Sequence, residues 1–188
     1  MDEVKDALHA KLVEVRAALL AAVEGASEHD LRRPMTPTGT NLIGLVKHLV
    51  GVEQVYLGES FGRPAPDVLP WVTDGSVWDG ADMWATAEES TDEIIALYRR
   101  ACAHGDATIG SLDLDAPGRV PHWDPATADT TLGYLLVRMV AETAQHAGHA
   151  EILRETIDGR TGSDTGDSGT DWPTYVRRIQ AAADHFTD

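Results

Sequence analysis

With one cysteine in 188 residues, Cys102, the chain cannot close an internal disulfide. Basic residues are scarce: Lys and Arg number 15 against 31 Asp and Glu, a formal net charge of -16. Phosphate backbones and anionic bilayers are repelled by such a surface, so neither nucleic acid nor membrane is an expected partner. No apolar stretch approaches the roughly 18 to 20 residues of a membrane span. No basic start leads into an apolar run as in a signal peptide, and a cytoplasmic protein is the expectation. β-alternating runs and internal repeats are missing as well, which leaves helices as the material of the fold.

Helical spacing is plain in Leu8, Leu12, Val15, Leu19 and Val23, a first helix over Val4 to Val23. Ser27 to Pro37, with two prolines, reads as a connection. Thr38-Gly39-Thr40-Asn41 supplies capping side chains for a second helix to about Leu57. Gly58 to Gly80 reads as a long loop with Trp71 and Trp78, and loops of that length are usually functional or lidding. A third helix is expected from Ala81 to His104, with Met83, Trp84, Tyr98 and Cys102 among its inward residues and Gly105 as its stop. A second loop leads to Asp129-Thr130-Thr131, which caps a fourth helix to Ile157. Asp158 to Asp171 has the composition of an exposed linker, and Trp172-Pro173 opens a last amphipathic helix. The division expected is a domain over 1–158, with 159–188 forming a linker and a short C-terminal helix packed on it.

Within the fourth helix, Glu142, His146 and His149 fall within about 60° of one another at roughly 100° per residue. Two ligands four residues apart can grip one metal ion. A third must come from elsewhere, and His48 is the other histidine set in a strongly amphipathic helical pattern. His48, Glu142 and His146 are therefore the leading ligand set. Glu142 and His146 also lie among Leu135, Leu136, Met139 and Val140, where an unpaired carboxylate is expensive and a divalent cation compensates it. His149 is the rival ligand, or else a donor that orients His146, Glu142 or a bound water. Arg138, one turn before Glu142, either pairs with that carboxylate or receives an anionic substrate group. His122 sits in a loop able to fold over the metal mouth, and Trp71 and Trp78 either line that opening or anchor their loop. Cys102 reads as a small core residue, and His9, His29, His104 and His185 as bystanders.

The stretches Thr36-Pro37-Thr38-Gly39-Thr40-Asn41-Leu42-Ile43-Gly44-Leu45-Val46-Lys47-His48-Leu49 and Glu142 to Glu155, closing with Ile157-Asp158-Gly159, resemble the actinobacterial branch of the DinB-like superfamily. The resemblance implies an all-α, DinB/YfiT-like four-helix bundle with long loops over one end and an additional short C-terminal helix. It also implies a divalent metal, zinc or nickel, held by three side chains near one end. Many relatives carry His-x-x-x-His-Arg-Gly-Gln in the last helix. Here Glu142 takes the place of the first histidine, a departure similar to mycothiol-dependent maleylpyruvate isomerases, whose site is two histidines and a glutamate. The activity implied is S-transfer from a small-molecule thiol, mycothiol as cosubstrate, to an electrophile. Zinc deprotonates a thiol near neutral pH without a protein base. A non-catalytic metal-binding bundle of stress or sensor type and a metal-dependent hydrolase are the competing readings, and a homodimer stays open.

Overall fold

A computed structural model describes residues 3–162 and 169–186. Four long helices dominate: α1 (Glu3–Val23), α3 (Leu42–Tyr56), α5 (Thr91–Ser111) and α6 (Leu132–Asp158). Short helices α2 (Glu28–Arg32) and α4 (Pro70–Thr73), two 3-10 turns and a two-stranded antiparallel ladder, β1 (Pro117–Arg119) with β2 (Asp129–Thr131), fill the connections. A last helix, α7 (Trp172–Asp184), has no buried residue. The long helices pack chiefly as α1 on α6, α3 on α5 and α3 on α6. Their apolar stripes meet in two clusters, one around Leu19, Leu49, Tyr98 and Leu153 and one around Leu12, Leu57, Leu132 and Leu136. No described helix is long and apolar enough to cross a membrane.

The helix starts follow side-chain capping. Asn41 Oδ1 accepts from Gly44 N at 2.8 Å, Ser90 caps α5 and Thr131 caps α6, each taking up an amide that the first turn leaves unpaired. Three boundaries differ from the sequence expectation. Ser27 to Pro37 is more than a connection, because Ser27 caps the single turn and a half of α2. The third helix runs from Thr91 to Ser111, not from Ala81 to His104. Gly105 does not stop it: the glycine lies against α3, where an added Cβ would stand 3.0 Å from Glu53 Oε2 and from Leu57 Cδ1. Ala81 to Ser90 instead forms a strap across α3, which leaves Trp84 52% exposed and Met83 partly buried outside any helix. The three-residue strands were too short to show alternation. Part of the expected linker, 163–168, lies outside the described residues.

A buried ion pair crosses the core. Arg16 of α1 donates from Nε and Nη2 to the two carboxylate oxygens of Glu53 on α3, both at 2.6 Å, and from Nη1 to Asp106 on α5 at 2.6 Å. Glu53 is 1% exposed. Burial alone pulls the guanidinium down, but the Glu53 charge and its hydrogen bonds outweigh that and raise it. The carboxyl is pushed up by burial against the opposing pull of Arg16. The bidentate fork is the geometry of an ionised pair, and a neutral Glu53 would leave the buried cation with only the partly exposed Asp106 as counter-charge, so the charged pair is the state that fits. Removing one partner should be worse than removing both. Arg16→Leu is expected to cost about 3 to 5 kcal/mol in urea unfolding, and Arg16→Leu with Glu53→Leu distinctly less. A double variant as unstable as the single one rules out an uncompensated charge as the source of the loss.

Candidate metal centre

α3 brings His48, and α6 brings Glu142 and His146 one turn apart, to one point where the middle stretches of the two helices face each other. Each offers one ligand atom, and the three atoms lie within 4.8 Å of one another. His48 Nε2 is 3.7 Å and His146 Nε2 3.3 Å from Glu142 Oε1. Two ligand atoms each about 2.1 Å from one tetrahedral ion stand about 3.4 Å apart, so these separations match a common shell, whereas 3.7 Å is too long for a hydrogen bond. The donor set of two imidazole nitrogens and a carboxylate oxygen suits zinc, with nickel also served by imidazole. Burial, then the neighbouring His48, holds His146 below the usual imidazole range despite the opposing Glu142, so it stays neutral as a ligand must. Its Nδ1 is buried without a hydrogen-bond partner among the described residues.

The strap contributes a residue that the sequence reading missed. Asp82 Oδ2 lies 2.7 Å from His48 Nδ1. A carboxylate accepts there, so Nδ1 carries the proton, which leaves Nε2, facing Glu142 and His146, as the ring nitrogen available to a metal ion. Asp82 fell within the stretch read as helix, and an aspartate set among Trp78, Met83 and Trp84 was its one signal. Asn41 holds the strap by donating to Met83 O at 3.0 Å. Gly44 makes room for it, since a Cβ there would run into that same carbonyl.

The remaining candidates take different places. His149 is exposed and outside the ligand cluster, its ring edge meeting that of His146 at a centroid distance of 5.7 Å. Arg138 forms no ion pair with Glu142 among the described residues. Its guanidinium lies 4.9 Å from the Tyr56 ring centroid and 5.4 Å from that of Trp123, with Nε buried and unpartnered. His122 is 3.4 Å from the Tyr56 hydroxyl and lines a cavity of about 600 Å³ that His48, Asp82, Trp71 and Trp78 also line. Burial, then the Arg138 charge, holds His122 below the usual imidazole value. Cys102 is remote from the centre, beside Glu53, and burial pushes its thiol far up, so it is no nucleophile. His9 and His104 are tied to Asp106 and to the Arg63 carbonyl.

The family model described as Mycothiol-S-transferase matches residues 7–159, most of the chain, and the chain belongs to that family. No curated protein matches it.

Zinc content after mild chelator challenge sorts these residues. His48→Ala, Glu142→Gln and His146→Ala are each expected to emerge nearly metal-free with helical circular dichroism unchanged. His149→Ala should keep its metal. Asp82→Asn should stay loaded but bind about 10 to 100-fold more weakly, the usual cost of losing a partner that orients a ligand. A fully loaded Glu142→Gln beside a metal-free His149→Ala would transfer the ligand role to His149.

Proposed function

We propose that this member of the mycothiol S-transferase family is a metal-dependent enzyme that joins mycothiol to an electrophilic small molecule. It would do so within a DinB-like four-helix bundle whose loops cover the metal centre. The observation that carries this reading is the approach of three potential ligand atoms from α3 and α6 within 4.8 Å, with His48 among them lining a cavity of about 600 Å³. Three protein ligands leave at least one position open, as in catalytic rather than structural sites. A bound divalent ion, zinc or nickel, supplies there the positive charge that lets a thiol lose its proton near neutral pH.

The protein's own groups do the rest. Asp82 fixes the His48 ring. Arg138, one turn before Glu142, holds a cation and a set of donors beside the centre, fit for an oxygen of an incoming substrate. His122 and the Tyr56 hydroxyl form a polar edge of the cavity, and His122, kept neutral, presents an imidazole to its occupant. His149 borders the ligand His146 from the exposed side. In the transfer the sulfur forms a bond to the electrophilic carbon, the bond to the leaving group breaks with its electron pair, and the thiol proton goes to solvent. Such a thiol must be kept reduced, which fits the cytoplasm.

Zinc-loaded protein with mycothiol and monochlorobimane should form the fluorescent conjugate at a rate well above the uncatalysed one, and His48→Ala should fall to that background. Stoichiometric zinc with no conjugation of mycothiol would discard the transferase and leave a non-catalytic metal-binding bundle. Release of product from an ester or amide without any thiol would point to the hydrolase.

A further inference from the structure

We infer that the centre joins two compartments of different character: an apolar cavity on the α3 side that takes a neutral, aromatic-sized electrophile, and a groove along α6, edged by hydroxyl, amide and guanidinium groups, that takes the polyhydroxylated body of the thiol. This rests on the transferase reading and assigns its two substrates to places. The cavity walls are chiefly Val52, Val55, Trp71, Val72, Val77 and Trp78. Its volume, about 600 Å³, lies in the range of small-molecule sites, and indole faces suit flat rings. Its charged groups are Asp82 and Glu59, and no Lys or Arg lines it. Lys47, over the Trp71 ring at 4.5 Å, is already tied to Glu89 at 2.8 Å and to the Trp84 carbonyl at 3.0 Å, and Arg138 lies over the Tyr56 ring at 4.9 Å. Apart from the ion that His48 would help hold at one edge, an anionic electrophile would therefore find carboxylates and no cationic side chain in the cavity wall. A polyhydroxylated thiol would leave its hydroxyls facing valines, each an unpaired polar group.

On the other side of the centre the surface is different. Two hollows of about 530 and 270 Å³ share Tyr134 and Arg138, so they run as one groove from Gln145 and Glu142 toward Thr127 and Thr130. From Glu142 to Tyr134 it follows α6 for about 12 Å. Two of its residues hold buried polar atoms without partners among the described residues, Arg138 Nε and Thr130 Oγ1. Buried polar groups are nearly always paired, so these two call for a ligand rich in hydroxyl and carbonyl oxygens. Tyr56 divides the compartments: it lines the cavity, and the Arg138 guanidinium of the groove lies over its ring. His48 opens to the cavity and Glu142 to the groove, so a sulfur arriving along α6 and a carbon held in the cavity meet at the ligand cluster. The S–C bond forms there, the leaving group departs with its electron pair, and the thiol proton passes to solvent.

Calorimetric titration of the zinc-loaded full chain with mycothiol, paired with steady-state rates on 1-chloro-2,4-dinitrobenzene and iodoacetate, separates the compartments. Corrected for intrinsic reactivity, the neutral aromatic should be the better substrate by more than about tenfold in kcat/KM. Thr130→Val with Gln145→Ala should weaken mycothiol about tenfold or more, near fivefold for each hydrogen bond lost, and leave the electrophile KM within about twofold. Val55→Phe, or Val77→Phe should the first not fold, should raise the dinitrobenzene KM by about tenfold with mycothiol affinity unchanged. Crossed effects, effects on both substrates from either variant, or a preference for iodoacetate overturn the assignment. Mycothiol that binds wild type and the groove-side double variant equally also overturns it while sparing the transferase. A wild type that does not bind mycothiol removes both.

Discussion

The Arg16–Glu53 pair is the constraint from which the rest of the arrangement follows. Replacing such a pair by matched apolar residues is often neutral or stabilising, whereas half of it alone is costly. Its contribution is therefore to register more than to stability. The fork fixes α3 on α1 at both carboxylate oxygens, and Asp106 brings in α5. Glu53 lies five residues from His48 on the same helix, about 7.5 Å along its axis. α1 in turn packs along α6, which carries Glu142 and His146. A slip of α3 by one residue, about 1.5 Å, would take His48 Nε2 out of a shell whose ligand distances tolerate a few tenths of an ångström.

One face of α3 then converts that register into a site. Asn41, Gly44, Lys47 and His48 recur at three- to four-residue spacing and all meet the strap. Asn41 binds the Met83 carbonyl, Gly44 gives it space, Lys47 binds the Trp84 carbonyl and Glu89, and His48 binds Asp82. Lys47 is only 2% exposed, a burial that its carboxylate partner and the Trp71 face offset. The strap is thus held by side chains instead of by its own regular structure. It closes one side of the cavity and supplies the carboxylate that sets the His48 tautomer.

Much of this was legible in the sequence where a period carried it. The spacing of Leu12, Leu19 and their neighbours marks α1, and Glu142 with His146 at one helical turn, together with His48, picks out residues that do lie together. What was hidden lacked a period. Ala81 to Ser90 is apolar enough to pass for helix, and Gly105 passes for a stop because its cause, the approach of Glu53 and Leu57, belongs to another helix. Asp82 follows no motif; only the path of the strap brings it to His48. Glu53 did carry a signal, a carboxylate in an otherwise apolar helix, but its partner is 37 residues away.

The charge distribution sets how selection between substrates must work. A net charge of -16 suggests that anions are turned away by the molecule as a whole. At physiological ionic strength, however, the screening length is about 8 Å, so most of that charge is not felt at the centre. What acts there is local: Asp82 and Glu59 in the cavity, Arg138 with Glu142 and Asp129 in the groove, and Tyr56 between them. Asp82, only 8% exposed, acts with little screening, whereas the exposed Glu59 is screened by solvent. In the proposed transfer, discrimination between a neutral and an anionic electrophile would therefore belong to a few residues around His48 and to the ion they would hold.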